Sequence, residues 1–248
     1  MAGTIPETKP ETIPGAMTDK IVVVTGGAGA LGQSVVEWFT LQGASVAVMD
    51  YSDEILANTF PVPLTQHCYI ACDLRNRESC NEAVGRILRQ FEKIDILVNV
   101  AGGFLMGDPV HKVSDETWDF LFDLNSRSIM NMAAAIVPGL IKQGNGKIIN
   151  IAARAALAGA PNMGAYTASK AAVMRLTESM ALELREKNIN VNAVMPSLID
   201  TERNRQDMPD ADYSQWVRPE QIADVIGFLA SDQALAVHGA CIPVDGLS

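Results

Sequence analysis

No run of apolar residues in this chain approaches the length of about 18 that a membrane span requires. No block of lysine and arginine occurs either. The balance of 19 basic against 29 acidic residues leaves a net charge of −10 and a pI near 4.7. Such a surface repels phosphate backbones and anionic headgroups, which argues against nucleic acid and membrane as main partners and leaves a small-molecule substrate. Cysteine is sparse: Cys68, Cys72, Cys80 and Cys241, with no CxxC among them. Cys68 and Cys72 flank a predicted strand, and no His or Cys pair stands nearby to complete a ligand set, so no metal site is read. A reduced, cytoplasmic setting is the expectation. His67, His111 and His238 lack partnered spacing and receive no role. Residues 1–18 hold Pro6, Pro10 and Pro14 among Thr and Glu. They lack the basic start and apolar core of a secretory leader and read as a flexible arm that adds little to the core.

What is present is a chain of 248 residues, 48% hydrophobic, enough for one sizeable core spanning 19–248. Apolar runs suited to buried strands fall at 21–25, 45–49, 67–72, 95–99, 147–152, 189–195 and 241–244. Helix-period segments separate them at 30–42, 76–92, 114–142 (bent before Pro138), 163–187 and 219–230. Continuous apolar strands alternating with helices specify a parallel sheet covered on both faces. The right-handed crossover then favours an α/β, doubly wound arrangement. Residues 197–217 break this rhythm with many charges and little apolar period. A loop that long at a strand's carboxyl end reads as a lid over a substrate. Trp38 and Trp118 fall on predicted helices and are expected in the core.

The first strand runs into Thr25-Gly26-Gly27-Ala28-Gly29-Ala30-Leu31-Gly32 and then a helix. Glycines let backbone approach a pyrophosphate, and the helix N-terminus offers free N–H groups to it, so Gly26, Gly29, Ala30 and Leu31 are cofactor candidates. Asp50 closes the second strand, where a carboxylate accepts ribose hydroxyls and repels a 2′-phosphate. No Arg or Lys lies between Thr25 and Ser52 to hold such a phosphate, which favours NAD(H) over NADP(H). Asp73 and Leu74 follow the third strand, at a position to meet the adenine. Asn99, Val100, Ala101, Gly102 and Gly103 follow the fourth, small enough for ribose and nicotinamide to lie on the backbone. Tyr166 and Lys170 stand four apart on a predicted helix and share a face. Two unit charges about 4 Å apart at an effective dielectric near 20 interact by roughly 4 kcal/mol. That is on the order of three pKa units, enough to bring a phenol toward neutrality.

The series TGGAGALG, Asp50, the Asp73 pair, NVAG, Asn125, YTASK, INVNAVMP and PVDG resembles the short-chain dehydrogenase/reductase family over residues 20–246. The resemblance implies a single-domain Rossmann fold with a seven-stranded parallel sheet, and a homodimer or homotetramer built through the helices near 114–142 and 163–187. It implies that Tyr166 exchanges the substrate proton, that Lys170 holds the nicotinamide ribose, and that Asn125 fixes a helix kink and a water. It extends the cofactor contacts to Pro196, Ile199 and Thr201. Three positions depart from it: Ala30 and Ser197 replace glycines, and Val100 replaces an Asn.

A fourth departure concerns chemistry. The family's carbonyl-polarising serine is here Ala153. Loss of one oxyanion donor typically costs about 2.7–4 kcal/mol of barrier. A ketone, which gathers charge on one oxygen, feels that loss fully; a conjugated electron-poor ring spreads the charge. The stretch ARAALAGAPNMGAY, the lid sequence, and Gly102-Gly103 followed by Phe104 are similar to the quinonoid dihydropteridine reductases. This makes reduction of a quinonoid dihydropteridine or another conjugated heterocycle the leading expectation. An alcohol/ketone or 3-oxoacyl reductase and a non-catalytic NAD-binding sensor or scaffold are the alternatives. Phe104 and Trp216 are candidates to sandwich a flat ring or are packing residues. Arg154 either binds a polar ring or is a solvated loop charge.

Overall fold

The computed structural model describes residues 16–247. Seven strands form one parallel sheet: β1 (Ile21–Thr25), β2 (Ser45–Asp50), β3 (Cys68–Ala71), β4 (Ile96–Asn99), β5 (Gly146–Ile151), β6 (Ile189–Pro196) and β7 (Cys241–Val244). Their order is β3-β2-β1-β4-β5-β6-β7. The intervening helices are α1 (Ala30–Leu41), α2 (Asp53–Thr59), α3 (Arg77–Phe91), α4 (Asp115–Phe122), α5 (Ser128–Gln143), α6 (Gly164–Leu184), α7 (Glu202–Asp207) and α8 (Pro219–Ala230).

Strand side chains alternate between two cores, as a sheet buried on both faces requires. Val22 and Val24 of β1 join Val46, Val48, Ile96 and Val98 under α1 and α8. Val23 joins Ala47, Met49, Leu97 and Ile148 under α3 and α5. Each fully buried Val, Leu or Ile contributes about 1.5–3 kcal/mol relative to exposure. Gly227 of α8 admits the Trp38 ring of α1, since a Cβ there would lie 2.2 Å from Cζ2. The Trp38 indole N–H is satisfied by Asp224 at 3.0 Å.

Three local expectations are corrected, and one segment is resolved in more detail. Met17 is buried and its N–H donates to the Gln42 carbonyl at 3.1 Å, so the ordered domain begins before residue 19. The arm expected over 1–18 otherwise lies, for residues 1–15, outside the described residues. The segment after 114, expected as one or two helices, forms α4 and α5, and Pro138 sits inside α5. It is interrupted by a wide π turn at Asp123–Arg127. Helix α2 was not expected, although Ser52 caps it by accepting the Ile55 N–H at 3.2 Å and Asp53 and Glu54 fill its first turn. Trp118 is not a core residue: it is half exposed and stacks on Phe122 with ring centroids 4.3 Å apart. Among the described residues no helix is long and apolar enough to cross a membrane, and no cluster of three His, Cys, Asp or Glu is placed to hold a metal ion.

His67 has a structural role that its isolated position did not reveal. Its Nδ1 accepts the Val46 N–H at 3.1 Å, and its Nε2 lies 2.8 Å from Thr40 Oγ1. The Thr40 hydroxyl is itself committed to the Val36 carbonyl at 2.6 Å, so Nε2 carries the proton and the ring is neutral. Burial holds its pKa below the ordinary value of 6.5. Folding therefore favours the neutral ring, and this stability is complete above about 6.5 and drains away as pH falls below it. His67→Gln keeps an acceptor for Val46 and a donor for Thr40 without titrating. Denaturant unfolding from pH 7.5 to 5.5 is expected to show a shallower acid loss in the variant than in the parent, and parallel curves would refute the assignment.

Candidate functional site

The strand order reverses direction between β1 and β4, and a cleft of 1030 Å³ opens there over the strands' carboxyl ends. Its floor begins with the glycine turn after β1. A Cβ on Gly26 would lie 2.8 Å from the Ala101 Cα, and one on Gly32 would lie 2.0 Å from the Gly26 carbonyl oxygen. These glycines let the turn press against the β4 loop and let α1 start close beneath it. Gly29 is the N-cap and supplies no side-chain cap. The first-turn N–H groups, which have no intrahelical acceptor, are thus left for an anion.

One end of the cleft is acidic. Asp50 accepts the Ala28 N–H at 2.9 Å and the Tyr51 N–H at 2.8 Å, which fixes its carboxylate at the cleft wall. Asp73 and Leu74 line the same end, joined by Arg75 and Tyr51. Arg75 binds both Asp73 oxygens, at 2.9 and 3.0 Å, and its guanidinium lies 5.7 Å from the centre of the Tyr51 ring. Hydrogen bonding from Arg75 lowers the Asp73 pKa. The sequence reading missed Arg75 because it sought a cation only between Thr25 and Ser52. The third βα turn brings one to this end.

The other end carries the proton-exchange candidates. Asn125, in the π turn, spans Gly103: its Oδ1 accepts the Gly103 N–H at 2.8 Å and its Nδ2 donates to the Gly103 carbonyl at 3.0 Å. The same Nδ2 donates to Ser169 Oγ at 2.9 Å, binding α6 to the β4 loop. A Cβ on Gly102 would sit 3.0 Å from both Asn125 Oδ1 and Lys170 Nζ, so a side chain there would press on both groups. The buried Lys170 ammonium donates to the Ile151 carbonyl at 2.8 Å. Tyr166 stands one turn before it on α6, with Phe104 edge-on at a centroid distance of 4.8 Å. Ala153, just past β5, completes this part of the cleft and is buried.

The expected lowering of the Tyr166 pKa is not what this arrangement produces. Burial raises the phenol to about 12 and lowers Lys170 to about 8. Loss of solvent disfavours both the phenolate and the ammonium, and burial is the cause of both shifts. Tyr166 is a neutral hydrogen-bond donor across the neutral pH range.

Of the other residues anticipated, Gly26, Gly29, Ala30, Leu31, Asp50, Asp73, Leu74, Ala101, Gly102, Phe104, Pro196, Ile199 and Thr201 all border the cleft. Asn99 does not. It is buried and donates to Asn150 Oδ1 at 2.8 Å, a cross-strand bond that occupies it inside the sheet. Trp216 does not either. It is buried at the root of the 197–217 segment, with Tyr213 against it at 4.8 Å, beside the core residue Val217. Its large apolar surface is satisfied by that packing. Arg154 pairs with Asp245 at 3.1 Å and does not line the cleft. Ser197, Glu202 and Arg203, unassigned from sequence, border it from the 197–217 segment.

The glycine floor, the uncapped helix start, Asp50 and the Lys170 ammonium fit a nicotinamide dinucleotide. Gly26, Gly29, Ala30 and Leu31 would hold its pyrophosphate, Asp50 its adenine ribose, and Lys170 its nicotinamide ribose.

The short chain dehydrogenase family model matches residues 20–212. A 3-oxoacyl-[acyl-carrier-protein] reductase of Thermotoga maritima is 32% identical over 239 residues, which cover 92% of this chain and 96% of that protein. An NAD-dependent glycerol dehydrogenase of Listeria innocua is 32% identical over 239 residues, covering 93% and 94%. The crystal structure of carveol dehydrogenase from Mycobacterium avium in complex with NAD superposes with a TM-score of 0.85 at 27% identity, covering 94% of this chain and 98% of that one.

The charge state of Lys170 yields a prediction for any reduction carried out in this cleft. The ammonium is present below about 8 and is lost as pH rises through that value, while Tyr166 stays protonated to about 12. The kcat/KM for NADH-driven reduction is expected to hold steady at neutral pH and decline above about 8. A profile that remains flat well beyond that point would show that the Lys170 charge is not required.

Proposed function

The chain belongs to the short chain dehydrogenase family, and on that premise we propose that it is an NAD(H)-dependent reductase of a conjugated, electron-poor ring, with quinonoid dihydropteridine the leading candidate. When bound, the nicotinamide supplies the reducing equivalents. Tyr166 donates the proton from Oη to the substrate. Lys170 orients the cofactor ribose and favours loss of that proton, and Asn125 keeps the Gly102–Gly103 backbone and α6 in register. The observation that carries the choice of acceptor is Ala153: the cleft holds a half-buried phenol and a buried ammonium, yet at the position of Ala153 it offers a methyl group. Phe104 supplies an aromatic edge for a flat ring; Trp216, packed elsewhere, does not.

A second reading, reduction of a ketone or oxidation of an alcohol, draws support from the relatives, one named for 3-oxoacyl reduction and one for glycerol oxidation. NADH oxidation measured with quinonoid dihydropterin and with a panel of ketones separates the two. The parent is expected to turn over the pterin faster, and Ala153→Ser to gain about tenfold on ketones, a fraction of the 10²–10³ that an optimised donor supplies. Ketone turnover by the parent that exceeds pterin turnover would overturn the first reading. NADH binding without turnover of any acceptor would favour a sensor or scaffold.

Asp50 supports NAD(H) over NADP(H), because a carboxylate at the end of β2 lines the cleft and would repel a 2′-phosphate. Asp50→Ala is expected to raise the NADP/NAD ratio of kcat/KM by about tenfold or more, the equivalent of roughly 1.4 kcal/mol of relieved repulsion. Arg75→Ala in the same background should erase much of that gain; an unchanged ratio in Asp50→Ala would remove Asp50 as the selector. We further assign the chain to the cytoplasm, where its four free cysteines persist, and to a homodimer or homotetramer joined through α5 and α6. A segment over 197–217 that closes on substrate completes this reading.

A further inference from the structure

The sulfurs of Cys72 and Cys80 lie 4.0 Å apart. Cys72, itself buried, follows β3 and borders the cleft next to Asp73, and Cys80 sits behind it near the start of α3, with no exposed surface. Ser79 Oγ donates to the Cys72 sulfur at 3.5 Å, and the start of the 15-residue α3 adds its positive dipole end. The hydrogen bond between the two sulfurs, with help from Ser79, lowers the pKa of the Cys72 thiol. Its partner is pushed up by that same bond and by burial. Burial raises Cys68 to about 11 and raises Cys241 as well. One thiol of the four thus lines the cleft beside a hydroxyl donor, and a second stands behind it in reach.

We propose that Cys72 and Cys80 form a peroxide-oxidisable dithiol site at the acidic end of the cleft, whose closure as a disulfide weakens dinucleotide binding. The effect on binding rests on the reading that this cleft holds the dinucleotide. The Cys72 thiolate attacks one oxygen of hydrogen peroxide; the O–O bond breaks, hydroxide leaves and takes up a proton, and Cys72 becomes a sulfenic acid. The Cys80 sulfur then attacks the Cys72 sulfur. The S–O bond breaks, the thiol proton leaves with the hydroxyl as water, and the S–S bond forms. Both thiols are oxidised and the peroxide is reduced to water. A dithiol reductant reverses the change.

Closing a 4.0 Å gap to a bond of about 2.05 Å must displace Cys72, Cys80 or both. The Cys72 N–H is tied to the Asp50 carbonyl at 2.8 Å, and the next residue is Asp73, whose N–H is bound by Ser79 Oγ at 3.1 Å. Cys80 also contacts the Leu74 carbonyl at 3.6 Å. Movement of the sulfurs is therefore transmitted to Asp50, Asp73 and Leu74.

The test treats fully reduced protein with hydrogen peroxide, maps its peptides by mass spectrometry without reduction, and titrates NADH by fluorescence before and after. A linked peptide joining Cys72 and Cys80 is expected, lighter by a pair of hydrogens. NADH affinity is expected to fall about tenfold, the equivalent of roughly 1.4 kcal/mol of lost binding, and dithiothreitol should restore it. Cys80→Ser should bind NADH like the parent, form no link, and accumulate a dimedone-trapped sulfenic acid at Cys72; Cys72→Ser should give neither product. Oxidation at Cys241 that leaves Cys72 and Cys80 reduced would overturn the site, and a linked pair with unchanged NADH affinity would overturn its consequence. If the reduced parent does not bind NADH, the functional reading fails, while the peptide map still decides the disulfide.

Discussion

The site depends on the side chain of Asn125 lying along the backbone of Gly103. One carboxamide matches the N–H and the carbonyl of the same residue, as a neighbouring strand would, and reaches on to Ser169. Three segments with no sequence proximity are fixed by it: the loop after β4, the junction between α4 and α5, and the first turns of α6. The wide turn at Asp123–Arg127 is the distortion that presents it. Such turns inside helices recur where a helix must serve a site as well as a core. Ser126, its neighbour, strengthens the same seam by donating to the Ser169 carbonyl at 2.9 Å.

That seam brings a phenol and an ammonium into a place with little water. Lys170 meets a carbonyl oxygen instead of a carboxylate. A carboxylate partner would have anchored the charge and raised its pKa; a lone carbonyl leaves it depressed and ready to respond to whatever enters the cleft. At the opposite end, the Asp73–Arg75 pair is well solvated, and ion pairs of that kind contribute little to stability. The two ends therefore differ in character: one uses dehydration to keep charges unsettled, the other holds exposed charges in a loose clasp.

Much of this was readable from the chain. The apolar runs of β1, β2, β4 and β6 have no amphipathic ambiguity, because a strand buried on both faces must be apolar throughout, and the glycine turn after β1 declares its steric needs directly. Tyr166 and Lys170 declare their shared helix face through their spacing, and both line the cleft. What escaped was anything that depended on distant contacts. Asn99 belongs to the sheet because Asn150 lies across from it, a partnership 51 residues away in sequence. Trp216 is buried with Tyr213 packed 4.8 Å away, a contact within the 197–217 segment that periodicity does not reveal. The Tyr166 pKa moved opposite to expectation because pairwise attraction can be estimated from spacing, whereas dehydration requires the whole surround. Arg75 and helix α2 were within reach of local signals, the latter through Ser52 and the acidic pair after it.

The strand order β3-β2-β1-β4-β5-β6-β7 has a consequence for how the sheet is made. Once β4 has docked on β1, every later strand attaches to the outermost strand already in place, in the order in which the ribosome delivers it. Growth on that side is by simple accretion, with no strand inserted between two others. The slow step falls early: β1 must wait for β4, with β2 and β3 intervening, before the centre of the sheet closes. A nascent chain halted after β4, β5 or β6 would carry an open, apolar sheet edge, the kind of surface that chaperones shield and that aggregation exploits.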